Sequence, residues 1–366
     1  MTKKVVLTAG PIPAKLDSVK IITNKFKGGL ATITANYLNK RDFDLTVVKW
    51  EKTELSLTPD IEVVNVSDVE SYVETVLGIE ADAYILAAAV ANLMPVSPWE
   101  GKFPSHKYDV GDTFDIKFTI SPRLIDQIKL KYPKSTLIGY KLFDGSREEL
   151  IEAGFKTLRN SKSNLVVCNS PSTAKKEKII VTPDGSIFNF GFIEHLDFMI
   201  RAMNLEWYST NVSHVNTDPY ALSTFNEIIK NYGSRIFVGD EYKFGSIAVK
   251  SKYGTITTTR GKDGSHAKVS SVDFGRRIVN ADTRATMNAP TMMRLLHGFN
   301  DANIVVHTHH KPVKQVDTFS YVFPGTTEED GIPILPHFNV ENHGQYVVFR
   351  DVEELDVWVR ENLPKN

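Results

Sequence analysis

The sequence has little cysteine, no excess of either charge and no long apolar run. Its 366 residues include one cysteine, Cys168, which excludes an internal disulfide framework and cysteine-based zinc modules. Lys and Arg number 43 against 44 Asp and Glu, a formal net charge of -1, so no overall positive field exists to hold nucleic acid or an anionic membrane. No stretch approaches about 18 apolar residues, and the start of the chain lacks a leader-like pattern. We therefore predict a cytoplasmic protein with small-molecule substrates and neither nucleic-acid nor membrane partners.

The composition and length describe a globular chain of two domains. Apolar residues make up 42% and charged residues 24%, which is ordinary for folded proteins. The stretch WYSTNVSHVNTDP, from Trp207 onward, is polar, turn-forming and aperiodic, as expected of a boundary. We place the junction near Ser209 to Asp218 and predict a first domain of residues 1–208 and a second of residues 209–366.

Strand-like and helix-like segments alternate through the first half. This alternation predicts an α/β fold with a doubly wound parallel sheet, whose ligands gather at the carboxyl ends of the strands. Lys178 to Phe190, around Pro183-Asp184-Gly185, is predicted to be a terminal hairpin. The other predicted strands are 4–7, 45–49, 83–90, 114–120, 136–142 and 165–169, with helices at 28–40, 68–77, 122–131, 147–159 and 192–205.

The second half shows a less regular alternation of the same elements. An apolar strand at Ile304 to Val306 is followed by a long irregular section and a strand near Gln345 to Phe349. The remaining predictions are helices at 220–232 and 285–297, a last helix at the end of the chain, and short strands around 235–238 and within 246–258.

A glycine-rich turn joins the first predicted strand to a helix. Gly10, Gly28 and Gly29 lie in this segment, and free amides at a helix N-terminus together with the helix dipole suit a phosphate. The spacing is neither GxGxxG nor a P-loop, so the same glycines also fit a tight turn that needs positive φ.

Six motifs of the first half occur in the order in which one enzyme family has them. LTAGP, followed by LDSVKIITN and Gly28, resembles its opening loop, and AYILAAAVANLMP its apolar strand ending in a small-residue turn. GKFPS resembles its catalytic lysine loop, FTISPRLI its strand-to-helix step, and LIGYKLF and NLVVCN two later segments. Residues of about 3–205 thus resemble phosphopantothenate–cysteine ligase, a coenzyme A enzyme that activates a carboxylate with CTP, or ATP in some relatives, and joins it to cysteine.

The resemblance implies roles for individual residues. Asn24 stands where the family's asparagine helps to process the acyl-nucleotide intermediate, and Lys102 where its lysine supports formation of that intermediate. Cations such as Lys102, with Mg²⁺, would offset the charge that builds up between a carboxylate and a triphosphate. The alternatives are a solvated loop lysine at 102, an edge-strand charge at 141 and a turn cap at 169. The nucleotide-binding residues implied are Gly10, Gly28, Gly29, Ala89, Asn92, Lys141 and Asn169.

Several positions depart from the family pattern. Phe26-Lys27-Gly28 replaces the usual hydroxyl-bearing pair before glycine, Asn92 replaces an aspartate and Leu93 a tyrosine. Since an amide cannot hold a metal or a cation as a carboxylate does, the base of the nucleotide, the metal contact and the exact substrate stay open.

Three histidines of the second half form a candidate metal site. In VVHTHH, at the end of an apolar strand, His307 and His309 point to the same face because side chains alternate along a strand. His343, in ENHGQYVV, is the natural third ligand, and three imidazoles leave an open position on zinc. Without a metal, such histidines are surface or packing residues, which is how we interpret His266, His297, His310 and His337.

Residues of about 218–366 resemble the class II aldolase/adducin family. GSIAVK, TITTTRGKDG, NDANIVVHTHH and ENHG match its successive motifs, which implies Zn²⁺ or another divalent metal on His307, His309 and His343. The family's catalytic glutamate falls on Asn288, after Thr286 and Met287 in place of serines, so ordinary aldolase catalysis is predicted to be impaired unless Asp282 or Glu341 supplies the carboxylate. The substrate side of this domain is predicted to include Gly245, Ser246 and Asn288.

Three functions remain open from the sequence. The first is nucleotide-dependent carbon-nitrogen ligation in a Rossmann-like domain, carried by Lys102 and Asn24. The second is a zinc-dependent lyase, dehydratase or epimerase acting on a sugar phosphate in a class II aldolase-like α/β domain. The third, favoured by Asn92 and Asn288, is a diverged fusion that binds nucleotide or metal without catalysis. Both resemblances imply a homo-oligomer.

Overall fold

The structure is a computed structural model that describes residues 2–172, 176–240, 242–261 and 264–364. The chain divides into two compact units. Unit 1 comprises residues 1–183 and 187–203, and unit 2 comprises residues 184–186 and 204–366. The sequence places the boundary a few residues later, at 208/209, and does not separate the segment 184–186 from its hairpin.

Unit 1 is built from strands and helices that alternate along the chain. Its helices are α1 (Gly29–Leu38), α2 (Val69–Gly78), α3 (Ile125–Lys131), α4 (Arg147–Ser161) and α5 (Phe192–Asn204), with a short 3₁₀ turn at Ser105–Lys107. Its strands are β1 (Lys3–Ala9), β2 (Pro11–Ile12), β3 (Ala14–Lys15), β4 (Ile21–Ile22), β5 (Phe43–Trp50), β6 (Glu62–Val66), β7 (Ala83–Leu86), β8 (Ala89–Val90), β9 (Leu93–Pro95), β10 (Phe118–Ile120), β11 (Thr136–Leu142), β12 (Leu165–Asn169), β13 (Lys178–Val181) and β14 (Ile187–Phe190).

Within the described residues, eight strands form the main sheet of unit 1. Their order is β6-β5-β1-β7-β11-β12-β13-β14. All neighbours from β6 to β12 are parallel, and β13 and β14 complete the sheet as an antiparallel hairpin. This confirms the predicted doubly wound α/β fold. The direction of the strand order reverses between β1 and β7, which is the topological switch point where such sheets bind ligands.

Local signals explain why these elements form. Val5, Val6 and Leu7 in β1 are fully buried, as the central strand of a sheet covered on both faces requires. The Asp68 side chain accepts a hydrogen bond from the Ser71 amide at the start of α2, and a second capping box begins α4. These capping residues set the helix starts close to the predicted ones.

Unit 2 has its own sheet and three helices within the described residues. The helices are α6 (Pro219–Ile236), α7 (Ala289–Gly298) and α8 (Val352–Asn362), with a 3₁₀ turn at Glu329–Gly331. The strands are β15 (Ser209–Val212), β16 (Ser246–Ser251), β17 (Gly254–Thr258), β18 (His266–Asp273), β19 (Ile278–Ala281), β20 (Ile304–Thr308), β21 (Thr318–Phe319), β22 (His337–Val340) and β23 (Gly344–Phe349). Their order is β15-β19-β18-β17-β16-β20-β23-β22-β21, and only the two outermost pairs are parallel.

The structure corrects several predicted elements. The stretch predicted as a boundary contains β15, which pairs in parallel with β19. Residues 235–236 end α6 instead of starting a strand, because the apolar face of this helix continues to the buried Ile236. The predicted strand 83–90 is interrupted after Leu86, and of 114–120 only β10 is extended, paired with β9 outside the main sheet. Polar alternation concealed β6, β18, β19 and β22.

Among the described residues, no helix combines the length and the apolar character needed to cross a membrane.

Candidate functional sites

Gly10 and Gly28 bring the end of β1 against the start of α1. Gly10 has φ +73° and Gly28 has φ +83°. A Cβ on Gly28 would lie 3.0 Å from the Cα of Gly10, so glycine alone fits both the angles and the close approach. Gly29 begins α1, and Gly28 caps the helix without a side-chain hydrogen bond. The first-turn amides and the positive end of the helix dipole are therefore the groups available to an anion.

Asn24 joins this turn to the strand across the switch point. Its side-chain Nδ2 donates to the carbonyl oxygen of Ala89 at 2.9 Å. The Ala89 amide in turn donates to the carbonyl oxygen of Gly10 at 2.9 Å, next to the parallel pairing of β2 with β8. The structure thus brings together Gly10, Asn24, Gly28 and Ala89, four residues that the sequence predicted to share a site.

Lys102 lies in a loop whose backbone is tied down on both sides. The Ser18 amide donates to the Gly101 carbonyl at 3.0 Å, and the Phe103 amide donates to the Asp17 carboxylate at 3.1 Å. The Lys102 side chain itself is exposed. The fold therefore fixes where the lysine starts and leaves its ammonium group in solvent.

Asp17 organises this pair of loops. It is only 4% exposed and accepts hydrogen bonds from the amides of Val19 at 2.7 Å and Lys20 at 2.5 Å, besides the Phe103 amide. The Lys20 ammonium lies 2.9 Å from its second oxygen. This ammonium, helped by the amides, holds the pKa of Asp17 well below its usual range.

A cleft of about 760 Å³ opens at the carboxyl ends of β7 and β11. Asn92 and Lys141, both predicted nucleotide contacts, line it. Its volume falls in the range of about 300–1,000 Å³ that is typical of small-molecule sites. Further charged and amide groups lining the cleft are Arg123, Glu149, Glu152, Lys156 and Asn160.

Asn169, another predicted nucleotide contact, lies next to a buried lysine. It ends β12, is buried, and accepts a hydrogen bond from the Lys178 ammonium at 2.5 Å. Lys178 is also fully buried, and burial lowers its pKa to about 8. Asn169 is not among the described residues that line the cleft, and its contact with a nucleotide stays a prediction.

In unit 2, the three predicted histidines converge. His307 lies in β20, His309 follows this strand, and His343 lies in the turn before β23. One ring nitrogen from each lies within 4.8 Å of the other two. The close approach of the two segments depends on Gly344, which has φ +121° and where a Cβ would come 2.3 Å from the Thr308 carbonyl oxygen.

Each of the two buried histidines has a partner that fixes its ring. The Nδ1 of His307 lies 3.2 Å from the Gln345 carbonyl oxygen. The Nδ1 of His343 lies 2.8 Å from the Asp184 carboxylate, and its Nε2 lies 3.0 Å from the hydroxyl of Tyr346. Imidazoles oriented in this way suit zinc or a similar divalent metal, and a ring nitrogen of His309 lies close enough to add a third ligand.

A carboxylate that the sequence did not suggest lies behind this cluster. Glu329 is 1% exposed, and one of its oxygens accepts from the Gly325 amide at 2.7 Å while the other lies 3.3 Å from the Tyr346 hydroxyl. Burial raises the pKa of Glu329 to about 7. The Glu329 carboxyl group therefore has a pKa close to neutral pH, and the Tyr346 side chain lies between it and His343.

Asn288 lies next to the strand partner of His307. Ser246 pairs with His307 between β16 and β20, and the Asn288 amide donates to the Ser246 hydroxyl at 3.2 Å. Thr286 completes the group, with its hydroxyl 2.6 Å from that of Ser246. The buried Oδ1 of Asn288 has no hydrogen-bond partner in the part of the chain that the structure describes. Gly245, with φ +122°, allows this close packing against the carbonyl of His307.

The two carboxylates predicted as substitutes for Asn288 differ in position. Asp282 is paired with the Lys268 ammonium at 3.2 Å. Glu341 is exposed and lines a second cleft, of about 780 Å³, together with His309 and His343. Of the two, Glu341 is the one beside the histidine cluster.

A family model described as the DNA/pantothenate metabolism flavoprotein C-terminal domain matches residues 1–186, just over half of the 366 residues. The chain belongs to this family. The chain is also similar to a curated protein, the coenzyme A biosynthesis bifunctional protein CoaBC of Thermococcus kodakarensis. The two are 30% identical over 171 residues. The match covers 46% of this chain and 41% of that protein, so the chain spans less than half of the relative's length. The resemblance predicted for the first half is confirmed.

Solved structures similar to this chain come from two groups. The DNA/pantothenate metabolism flavoprotein from Streptococcus pneumoniae has a TM-score of 0.48 and 18% identity, and the match covers 55% of this chain and 97% of that chain. L-fuculose 1-phosphate aldolase has a TM-score of 0.29 and 14% identity, covering 41% of this chain and 87% of that one. What unit 2 does must be argued from its own residues.

Sequence reasoning missed four residues of the two candidate sites. Asp17, three residues before Lys20, carries the signal of a side-chain-stabilised turn, which could have been found. Asp184 was interpreted only as part of a hairpin turn, and neither Glu329 nor Tyr346 has a local pattern that marks it. Their roles depend on partners far away in the chain.

Proposed function

We propose that unit 1 catalyses nucleotide-dependent activation of a small phosphorylated carboxylate, followed by amide formation with an amine such as cysteine. The observation that carries this proposal is the convergence of Gly10, Asn24, Gly28 and Ala89 at the switch point of the sheet, beside the N-terminus of α1. Membership of the family and the similarity to a coenzyme A biosynthesis protein support it. The activity is therefore ligase-like, in coenzyme A synthesis or a branch of it.

The nucleotide, CTP or ATP with Mg²⁺ on its phosphates, has two sets of contacts in this proposal. The amides at the start of α1, reached through Gly28 and Gly29, bind a phosphate. Asn92 and Lys141 contribute an amide and a cation from the neighbouring cleft. In this arrangement the helix N-terminus contacts only phosphate, so the cleft residues select between the bases of CTP and ATP.

Two residues take part in the chemistry. A carboxylate oxygen of the substrate attacks the α-phosphorus and expels pyrophosphate, and the Lys102 ammonium offsets the negative charge that builds up there. The amine then attacks the acyl carbon and expels the nucleoside monophosphate. Asn24 retains a second N–H beyond the one that binds Ala89, and this N–H stabilises the developing oxyanion.

Incubation of the full chain with each nucleoside triphosphate, phosphopantothenate and cysteine tests the proposal. We expect pyrophosphate release that depends on both the acid and Mg²⁺. If no candidate acid gives pyrophosphate release or nucleotide-induced thermal stabilisation, the ligase role is contradicted. A diverged, non-catalytic fusion is then the better explanation.

A second candidate function belongs to unit 2, where we propose one divalent metal, preferably zinc, on His307, His309 and His343. The three ring nitrogens lie within 4.8 Å of one another, and the Asn288 side chain donates to Ser246, the strand partner of His307. When bound, the metal would polarise a hydroxy-carbonyl substrate and stabilise an enediolate. The corresponding reaction is that of a lyase, dehydratase or epimerase on a sugar phosphate, contacted from Gly245 and Ser246, and impaired because Asn288 cannot move a proton.

Elemental analysis of protein purified without a His-tag tests the metal site. We expect one divalent metal per chain, and loss of it in the double variant His307→Ala, His309→Ala. The matched control is His297→Ala, which removes an exposed imidazole elsewhere in unit 2. Unchanged metal content in the double variant would exclude this site.

We also propose that the chain forms a homo-oligomer. The segment from Leu93 to Ile120 exposes an unusual number of apolar side chains, among them Val96 and a fully exposed Val110. Contiguous exposed apolar surface is typical of protein interfaces. Light scattering of the wild type and of the double variant Val110→Asp, Ile120→Asp tests whether the chain forms a homo-oligomer. A monomeric wild type contradicts the proposal.

A further inference from the structure

We propose that Asp184 is the residue that positions His343 for metal binding, an inference that rests on the metal site proposed above. Asp184 lies within the region matched by the family model, and the structure groups it with unit 2 together with Gly185 and Ser186. The contact to His343 Nδ1 therefore comes from a residue of the first half of the sequence. The third ligand of the proposed centre depends on a hairpin turn that residues 187–203 separate from the rest of unit 2 in the sequence.

The contact between the two residues is short and buried. Asp184 Oδ2 lies 2.8 Å from His343 Nδ1, and the two residues are 8% and 1% exposed. A carboxylate accepts hydrogen bonds, so the nitrogen facing Asp184 carries a proton. The other nitrogen of His343, Nε2, then has the free electron pair that a metal ligand needs.

The rest of the turn is shaped to hold Asp184 in this place. Gly185 has φ +93°, and a Cβ there would come 2.4 Å from the ring of Phe244. The Ser186 hydroxyl donates to the Asn342 carbonyl at 2.5 Å, one residue before the histidine. The Asp184 carboxylate itself is contacted by the Ser186 hydroxyl at Oδ2 and accepts a hydrogen bond from the Tyr321 hydroxyl, 3.4 Å from Oδ1. These contacts hold the carboxylate in place beside His343, as a residue that orients a ligand requires.

A second neighbour of His343 acts in the opposite sense. The Tyr346 hydroxyl lies 3.0 Å from His343 Nε2, the same atom that Asp184 prepares for a metal. The Tyr346 hydroxyl has one proton, which it gives either to His343 Nε2 or to the Glu329 carboxylate, 3.3 Å away. Metal and hydroxyl compete for one electron pair, so removing the carboxylate and removing the hydroxyl are expected to change metal affinity in opposite directions.

The test is zinc affinity of the full chain, measured by competition with a chromophoric chelator. We expect Asp184→Asn to weaken binding by about 10- to 100-fold, the usual effect of losing such a partner, and Asp184→Glu to recover part of it. Tyr346→Phe is expected to bind zinc at least as tightly as the wild type. The control Asp301→Asn removes the same charge from an exposed position and should leave affinity unchanged.

The outcomes separate this inference from the proposal beneath it. A wild type that binds no zinc refutes the metal site itself. Wild-type binding with equal affinity in Asp184→Asn, or an equal loss in Asp301→Asn, overturns the role of Asp184 while the site stands. If Asp184→Asn does not fold, the comparison of Asp184→Glu with the wild type decides, because a carboxylate set one methylene further out must alter affinity if position matters. In a His343→Ala background, Asp184→Asn should have no further effect, and an undiminished one would show that Asp184 does not act through His343.

Discussion

The two units hold their candidate chemistry in different ways, and two buried carboxylates show the contrast. In unit 1, Asp17 is charged, accepts several hydrogen bonds from amides and binds the Lys20 ammonium, all to fix the backbone of two loops. In unit 2, Glu329 has one amide and one tyrosine hydroxyl as partners, and burial raises its pKa to about 7. The first carboxylate shapes the main chain, whereas the second belongs to a network of side chains.

The two sites therefore differ in how far their side chains are ordered before a ligand binds. The groups of unit 1 that would meet a nucleotide are backbone amides and exposed side chains such as Lys102, which a ligand must order. The groups of unit 2, His307 and His343, are buried and already oriented by partners. Variants of unit 1 should therefore change rates more than stability, and variants of unit 2 should change stability and metal affinity.

The largest effect is expected for Lys102→Ala. The exposed side chain makes little difference to folding, but loss of a cation at the developing charge should reduce pyrophosphate release by about 10²- to 10³-fold. Thermal unfolding and nucleotide binding should stay close to the wild type. Lys107→Ala, an exposed lysine in the neighbouring 3₁₀ turn, is the control. Equal losses in both variants would mean that general charge, and not Lys102, matters.

Asp17→Asn should have the second-largest effect. We expect the rate of pyrophosphate release to fall by up to about 10²-fold, because misplacement of a catalytic loop by about 1 Å has that cost. The variant also tests a pH dependence. Since the folded pKa of Asp17 is lowered, its stabilisation is fully present above the unfolded value of about 3.9 and is lost as the pH falls through the folded pKa. Urea unfolding between pH 3 and 7 should show a steeper acid loss in the wild type than in Asp17→Asn. Parallel curves would deny Asp17 its role.

Glu329 in unit 2 should give the folded protein the opposite pH dependence, and the variant Glu329→Gln tests this. The folded pKa of about 7 lies above the unfolded value of about 4.3, so between these two pH values the folded protein keeps a proton that the unfolded chain has lost. The free energy of unfolding then falls as pH rises, by at most about 1.4 kcal/mol per pH unit. In chelator, the glutamine variant should lose this fall between pH 5 and 7. An unchanged slope would show that Glu329 ionises normally.

The sequence predicted one kind of feature well in both units. Apolar strands such as β12 and β20, and the capping residues of α2 and α4, act over a few neighbouring residues, so their patterns can be recognised locally. The same-face position of His307 and His309 follows from strand alternation alone. Asp184 and His343 are 159 residues apart, and nothing near either one indicates the other. Likewise, Asn169 could be placed at a strand end, but its engagement by Lys178 depends on the packing of a buried ammonium.

The smallest change in absolute rate is expected for Asn288→Glu, which tests whether unit 2 lacks only its acid/base. A positioned carboxylate contributes about 10² to 10⁴ in rate to proton transfer, but here it would start from trace activity. The Ser246 hydroxyl, which contacts the Asn288 side chain, can donate to the new carboxylate and help it to remain ionised. Activity on fuculose and ribulose phosphates should rise while metal content stays the same, and Asn288→Gln should show no gain. A wild-type rate in the common enzyme range of roughly 1 to 10³ s⁻¹ would show instead that another carboxylate serves, and Glu341, which shares a cleft with His309 and His343, would be the first to replace.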